Sequence, residues 1–391
     1  MSAPGPEDGF FRSRWAVPPQ GVTELDPSGL APGFRAAGVH CGLKGGGATD
    51  VGIIAVEDGQ ELSSAILLTR NASAAAPIRV CHERCNQGDL RAAVINSGNA
   101  NAATGEQGFR DAVAMQETTA SELGLEAGQV AVAETGVIGV PLPVGEVVAG
   151  IGEAAAALSA DGGEGFNEGI MTTDQWPKRC CLRAGGVTIS AQAKGAGMIE
   201  PGFATMLCFI QTDAVIPDPD AALRVAVGSS FERITVDGQM STNDTVLLQA
   251  TGASGEELPE GLLEAVLLQL ALEIVIDGEG ATRAGRAEVL AARDPEEAER
   301  VVRAIGNSPL VKTALYGRDP NWGRIAQAAG MALAGEQISE LGPDRIDADD
   351  LAGPGVEAEL SVRLDRGDAS AHLYFSDLTE GYVQLNAEYT T

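Results

Sequence analysis

Short apolar runs interleaved with helix-length periodic segments predict a mixed α/β fold with several sheets, not a simple doubly wound one. Residues 50–56 (Asp-Val-Gly-Ile-Ile-Ala-Val) and 91–96 (Arg-Ala-Ala-Val-Ile-Asn) are too short for buried helices and read as buried strands. Gly105 to Leu123 and Val144 to Leu158 carry alanine and apolar residues at helical spacing. Alternating segments at Val356 to Leu364 and His372 to Phe375 add a late β portion.

The remaining elements follow in order. Residues 1–16 are a Pro/Gly-rich lead-in, and Ser159 to Gly165 is a loop by composition. A strand from Val187 to Ala193 leads into a Gly-rich loop, and 205–214 is the next strand. Asp218 to Ser229 and Pro259 to Ile276 read as helices, the second stopped by Asp277-Gly278. Asp294-Pro295-Glu296-Glu297 opens a further helix, with a capping Asp, Pro at the first turn and acids beside the helix dipole. It ends at Gly306, before Pro309, and no internal repeat is present.

Composition narrows the function classes. With 391 residues and 44% hydrophobic content, the chain can bury a large core. Its formal charge of −29 argues against nucleic-acid and anionic-membrane partners, which need clustered Lys and Arg. Only four lysines are present, Lys44, Lys178, Lys194 and Lys312, so each carries more interest than usual. Cys81-His82-Glu83-Arg84-Cys85 with His40-Cys41 does not match a standard zinc spacing, so the six cysteines read as free thiols and no metal is expected. Met1 to Asp8 has no basic and apolar leader pattern, and the apolar stretch 262–276 is too short to span a bilayer. Cytoplasm is the expected compartment. No GxxxxGK[ST] loop, no strand–GxGxxG–helix context and no GxSxG elbow occurs.

One segment carries chemistry. In Lys194-Gly195-Ala196-Gly197-Met198-Ile199-Glu200-Pro201-Gly202-Phe203-Ala204-Thr205-Met206-Leu207, a Gly/Pro loop leads to a threonine at the head of an apolar strand. Thr205 can attack the Ala204 carbonyl, convert amide to ester and let water cut the chain. The freed α-amine then stands next to the hydroxyl as its own base, a known way to activate a weak nucleophile. Taken alone, a β-branched residue opening a strand after glycines is ordinary.

The segment resembles the self-cleavage site of the ornithine acetyltransferase family, the bifunctional glutamate N-acetyltransferase/amino-acid acetyltransferases. Other segments match in order: Asn96 to Ala102, Thr104 to Gly108, Thr135 to Gly139, Ile170 to Asp174, Thr235 to Gly238, Ser241 to Thr245, Asp277 to Thr282, Tyr316 to Arg324 and Asn386 to Thr391. The resemblance therefore covers nearly the whole chain. It implies stacked mixed sheets flanked by helices, with a smaller C-terminal α/β portion and a DmpA-like fold. It also implies cleavage between Ala204 and Thr205 into 1–204 and 205–391, and assembly as an (αβ)2 heterotetramer.

The resemblance assigns Thr205 as nucleophile and Thr135 with Gly136 as the oxyanion hole. Thr173, Lys194, Thr205, Glu279, Asn386 and Thr391 are the implied substrate contacts. Acyl transfer needs preorganised donors for a tetrahedral oxyanion, and an amino-acid substrate needs fixed counter-charges; Glu279 suits the ammonium of ornithine. The implied reaction is ping-pong, from N2-acetyl-L-ornithine to Thr205 and then to L-glutamate, with no cofactor required and acetyl-CoA as a possible alternative donor. Two departures from the family pattern bear on the electrostatics: Glu200 near the scissile bond and Glu134 just before Thr135. Ala103, where the family often has Cys, matters little. The competing readings are an acetyl-CoA-dependent N-acetylglutamate synthase, an N-terminal-nucleophile aminopeptidase, and a non-processing amino-acid-binding relative.

Overall fold

A computed structural model describes residues 9–200 and 206–388. Thr205, Ala204 and Thr391 lie outside the described residues.

Among the described residues fifteen strands form three sheets. The six-stranded sheet runs, edge to edge, Val22–Glu24, Lys178–Ala184, Val187–Lys194, Leu207–Thr212, Thr245–Ala250 and Ser63–Leu68. The four-stranded sheet runs Phe34–Val39, Val51–Val56, Ala92–Asn96 and Val130–Glu134. The third sheet, of five strands, is built from Ile234–Thr235, Ala369–Ser376, Ala284–Ala292, Glu357–Arg363 and Ile346–Asp347.

The strands of the first two sheets alternate their faces, and both faces are apolar, so each sheet must be covered twice. Ile54, Ala93, Ile95, Ala131 and Ala133 of the four-stranded sheet share one core with Leu207, Phe209, Leu247, Ile66 and Leu68 of the six-stranded sheet. The other face of the four-stranded sheet packs on the helices Gly105–Leu123 and Val144–Ala156 through Met115, Val147 and Ile151. The other face of the six-stranded sheet packs on Pro219–Ser229 and Leu262–Ile276. The result is a helix–sheet–sheet–helix stack. Leu262–Ile276 is buried almost all round because it also contacts the C-terminal sheet through the strand Ala369–Ser376. That sheet has its own core with the helices Pro295–Gly306, Pro309–Tyr316 and Trp322–Ala332.

Strong local signals give the expected elements. Asp294 caps its helix by accepting the Glu297 N–H at 2.8 Å. Gly124, at φ 66°, ends the helix Gly105–Leu123 in the left-handed conformation that favours glycine. The loop expected over 159–165 is a correction. A helix, Gly163–Ile170, starts inside it and lies directly on the strand Phe34–Val39. Its glycines serve contact rather than looseness: a Cβ on Gly162 would sit 1.7 Å from the Ala36 carbonyl oxygen. Pro309, expected beyond a helix end, opens the next helix, whose cap Ser308 accepts the Val311 N–H. Among the described residues no helix is long and apolar enough to cross a membrane.

The segments 1–204 and 205–391 do not form separate layers. Val187–Lys194 pairs antiparallel with Leu207–Thr212, with Lys194 opposite Leu207, and Ser63–Leu68 pairs with Thr245–Ala250. The six-stranded sheet is thus woven from both.

Candidate active site

A cleft of about 800 Å³ opens where the strand ends of the two stacked sheets meet the C-terminal helix. Thr135, Gly136, Thr173, Lys194, Glu279 and Asn386 all line it. These are all the expected site residues that the structure describes. Gly197, Met198, Asp237, Ser241, Thr242, Asn243 and Tyr382 complete much of the wall.

Each side chain arrives for a local reason. Thr135 follows the strand Val130–Glu134, where the chain turns away at Gly136. Gly136 has φ 128°, and a Cβ there would lie 2.5 Å from the Gly98 carbonyl carbon, so only glycine fits. Lys194 closes the strand Val187–Lys194, is 2% exposed, and donates to Thr135 Oγ1 at 3.4 Å. Burial pushes its ammonium down, with Asp174, Asp244 and Glu279 opposing and Lys178 adding to the shift.

Glu279 is gripped from two sides. Thr173 Oγ1 donates to Oε1 at 3.0 Å and Asn386 Nδ2 to Oε2 at 2.7 Å. Its own N–H donates to the Ala196 carbonyl at 3.0 Å. Gly197 makes room for it: a Cβ there would stand 2.6 Å from the carboxylate. Asn386 lies in the helix Glu380–Glu388, whose Gly381 and Tyr382 backbone sits against Gly280.

Beneath these residues lies a charge cluster that sequence reasoning missed. Lys178 Nζ bridges Asp174 Oδ1 at 2.7 Å and Asp277 Oδ2 at 2.5 Å, with all three side chains fully buried. Asp174 also accepts the N–H groups of Gly195 at 2.7 Å and Thr172 at 3.0 Å. Asp277 accepts the Gln175 N–H at 3.1 Å. One ionic cluster therefore ties together the three segments that present Thr173, Lys194 and Glu279. Burial opposes ionisation of Asp174, but Lys178 and Lys194 outweigh it and hold the carboxyl well below the usual range. Burial likewise opposes the Lys178 ammonium, and the two aspartates overcome it. Asp277 is pushed up to about 6 by burial, against the pull of Lys178. The signal was present in the sequence: Asp174 and Asp277 sit inside matched segments, and Lys178 is one of four lysines.

Neither departing carboxylate points a free charge into the cleft. Glu200 accepts from Thr235 Oγ1 at 2.7 Å and Asn307 Nδ2 at 3.0 Å, and pairs with Arg303 at 3.3 Å. Glu134 is fully buried and accepts from Asn96 Nδ2 at 2.6 Å and Asn101 Nδ2 at 2.9 Å. Burial drives its carboxyl up to about 8, so it is mostly neutral at pH 7. The expected negative charge behind Thr135 is therefore largely absent at that pH. The six cysteines are free; Cys81 and Cys85 donate to the Val132 and Val130 carbonyls. Among the described residues no group of three or more His, Cys, Asp or Glu could hold a metal ion.

Comparison with known proteins agrees with the matched segments. The model of the ArgJ family matches residues 35–391. The arginine biosynthesis bifunctional protein ArgJ of Thermobifida fusca is 40% identical over 377 residues, covering 92% of this chain and 98% of the relative. That of Thermus thermophilus is 43% identical over 385 residues, covering 93% and 99%. Among solved structures, a chain of the Mycobacterium tuberculosis ornithine acetyltransferase, complexed with ornithine, is 36% identical with a TM-score of 0.43. It covers 46% of this chain and 98% of its own length. With a family model spanning all but the first 34 residues and curated relatives matched over nearly their whole length, this chain belongs to the ArgJ family.

Proposed function

We propose that this N-acetyltransferase of the ArgJ family moves the acetyl group of N2-acetyl-L-ornithine to L-glutamate through an acetyl ester on Thr205. The chain first cuts itself between Ala204 and Thr205. In the first half-reaction Thr205 Oγ bonds to the acetyl carbonyl carbon and its proton passes to the α-amine of Thr205. The oxyanion is stabilised by Thr135 and the Gly136 N–H. The tetrahedral centre then collapses, the C–N bond breaks, and the same proton leaves on the ornithine nitrogen. The second half runs the same steps in reverse with the amine of glutamate as nucleophile. Glu279 faces the cationic end of ornithine, and Lys194 serves a carboxylate or the proton traffic around Thr205. Thr173, Asn386 and Thr391 complete the substrate contacts. The acetyl group comes from the substrate, so the scheme requires no dissociable cofactor.

The observation that carries this reading is one of convergence. Six residues from five separate stretches of sequence, each singled out by its sequence motif, line a single cleft, and the strand that follows Thr205 runs beside Lys194. The weave of the six-stranded sheet supports 1–204 and 205–391 remaining one folded unit after cleavage. Further pairing into (αβ)2 belongs to the same proposal, and light scattering of the native particle tests it.

The deciding experiment is the intact mass of the denatured protein, with N-terminal sequencing, for wild type and Thr205→Ala. Wild type should give two pieces, the second beginning Thr-Met-Leu-Cys, and initial-rate plots in the two substrates should be parallel. Thr205→Ala should stay whole and transfer nothing, whereas Thr205→Ser should keep part of both activities. A Thr205→Ala chain cut at the same bond would remove the mechanism. Replacing acetylornithine by acetyl-CoA in the same assay decides whether the second donor is used.

A further inference from the structure

The matched segment Ser241 to Thr245 gives no residue to the scheme above, yet Ser241, Thr242 and Asn243 all line the cleft. Asn243 is buried, and both hydrogens of its side-chain amide are engaged. Nδ2 donates to the Ala100 carbonyl at 2.7 Å and to the Glu134 carbonyl at 2.9 Å, and Oδ1 accepts from Thr242 Oγ1 at 2.7 Å. These partners fix which end is nitrogen, because the flipped amide would set an oxygen against two carbonyl oxygens.

Both carbonyls flank the turn that carries Thr135 and Gly136. The Glu134 carbonyl shares a peptide plane with the Thr135 N–H, which donates to the Asn96 carbonyl at 3.0 Å. That plane is therefore held from both sides. Beyond Gly136, the Val137 carbonyl accepts the Ala100 N–H at 2.9 Å, and the Val137 N–H donates to the Gly98 carbonyl at 3.4 Å. One amide thus ties both ends of the Thr135-Gly136 dipeptide, directly before it and through Ala100 after it. The segment that presents Asn243 is itself braced. Thr69 Oγ1 donates to the Ser241 carbonyl at 2.8 Å, the Ala75 N–H to the Thr242 carbonyl at 2.9 Å and the Thr69 N–H to the Asp244 carbonyl at 3.0 Å. The Asn243 N–H donates to Ser241 Oγ at 3.1 Å. Asn243 is therefore a fixed point between the two stacked sheets, just ahead of Thr245–Ala250 in one and bonded to the end of Val130–Glu134 in the other.

We propose that Asn243 is the positioning residue for the oxyanion site: its amide sets the peptide plane before Thr135 and, through it, the direction of the Gly136 N–H. This rests on the reading of Thr135 and Gly136 as the oxyanion donors. Asn243 gives no hydrogen bond of its own to the acetyl group, since both amide hydrogens are taken. Oxyanion donors act because they stand in place before the charge develops, and a small misplacement loses much of their effect. The loss falls on the tetrahedral state, where the oxygen carries charge. It does not fall on bound ornithine, which has no acetyl oxygen.

Two variants test this. Asn243→Ser removes both amide donors without adding a charge, and Asn243→Asp keeps the shape but sets a second oxygen against the two carbonyls. Rates are counted per cut chain, and circular dichroism shows whether each variant is folded. Asn243→Ser should lose roughly 10- to 10³-fold in kcat and the same factor in kcat/KM for acetylornithine. Asn243→Asp, where it folds, should lose more. Two ligands then separate a misplaced oxyanion site from a loosened cleft. Calorimetric titration of Asn243→Ser with ornithine should give a Kd within about twofold of wild type. The analogue with a methylphosphonyl group in place of acetyl has a tetrahedral phosphorus bearing a negative oxygen. It should bind more weakly by the factor lost in kcat/KM. A wild-type kcat in folded Asn243→Ser overturns the proposal, and so does an equal loss of affinity for both ligands. If wild type itself binds the methylphosphonyl analogue no more tightly than ornithine, the oxyanion reading of Thr135 and Gly136 fails, before any Asn243 variant is made.

Discussion

Behind Thr173 and Glu279, Asp174 and Asp277 share one buried ammonium; behind Thr135, Glu134 is buried against two amide nitrogens, and among the described residues no cation is bonded to it. Both regions pack carboxylates beneath the same cleft, and they respond to protons in opposite ways. Against burial, Lys178 and Lys194 hold Asp174 well below the usual carboxyl range, so Asp174 keeps its charge across physiological pH. Asp277, pushed up to about 6 by burial, takes up a proton only as the pH falls toward that value. Asn96 and Asn101 only soften the desolvation of Glu134, which reaches about 8. Counter-ions fix a charge in place, whereas neutral donors leave its presence to the solvent pH.

The sharpest way to break the paired region is Lys178→Met. It leaves two buried carboxylates facing each other without a cation. Removing one partner from a buried ion cluster costs about 3–5 kcal/mol. Urea denaturation should show that loss, and adding Asp277→Asn to Lys178→Met should recover part of it. A Lys178→Met protein as stable as wild type would mean that the cluster does not organise the cleft.

Next in size is Gly197→Ala, which leaves the cluster intact and displaces what it supports. The new Cβ would meet the Glu279 carboxylate at 2.6 Å, so Glu279 must shift away from Thr173 and Asn386. Hydrogen bonds to a charged group are worth about 1.5–3 kcal/mol, so KM for acetylornithine should rise about 10- to 100-fold with a smaller change in kcat. An unchanged KM would remove Glu279 from the substrate site.

The unpaired region predicts a pH effect of definite sign. The Glu134 carboxyl rises from the ordinary 4.5 to about 8 on folding. Between those values the native state holds a proton that the unfolded chain has released, so this group's stabilising contribution falls as pH rises. It is fully present below about 4.5 and is exhausted above about 8, with a slope of at most about 1.4 kcal/mol per pH unit. Glu134→Gln should flatten this part of the urea-midpoint profile between pH 5 and 8. Transfer activity should also fall less in the variant above pH 8, where wild type gains a negative charge behind Thr135. A wild-type profile identical to that of the variant would show that Glu134 is already ionised.

How much of this is legible in the sequence depends on how far each signal reaches along the chain. Asp294-Pro295 announces a helix because cap and first turn are four residues long. The strand Thr245–Ala250 carries no such local signal, because its sheet partners, Leu207–Thr212 and Ser63–Leu68, lie far away in sequence. The glycines of 162–165 read as a loop because their purpose, contact with Ala36 and Gly38, is tertiary. The cleft lining is legible through matched segments, and those segments also mark Asp174 and Asp277, but not that the two share one lysine. Nothing in Lys178 or Asp277 alone says that they meet across 99 residues.

The smallest expected effect concerns Glu200, which has features of both regions: two neutral donors and one partly exposed cation. Thr235 and Asn307 bind Oε2, and Arg303, itself bridged to Glu299, reaches Oε1. The sequence alone places this charge four residues before the scissile bond, where it would oppose a developing oxyanion. The geometry turns it instead toward the helix Pro295–Gly306, and it is not among the residues lining the cleft. Glu200→Gln keeps an oxygen for Thr235 and Asn307 and loses only the pairing with Arg303. A partly exposed pair of this kind is worth about 0–1 kcal/mol, so the denaturation midpoint should barely move. The rate at which newly made protein is cut should also match wild type, measured by pulse-labelling and gel. Cleavage several-fold faster in Glu200→Gln would mean that the Arg303 pairing fails to screen the charge from the reacting bond. Glu200 would then act on cleavage as an uncompensated carboxylate, despite its bonded cation.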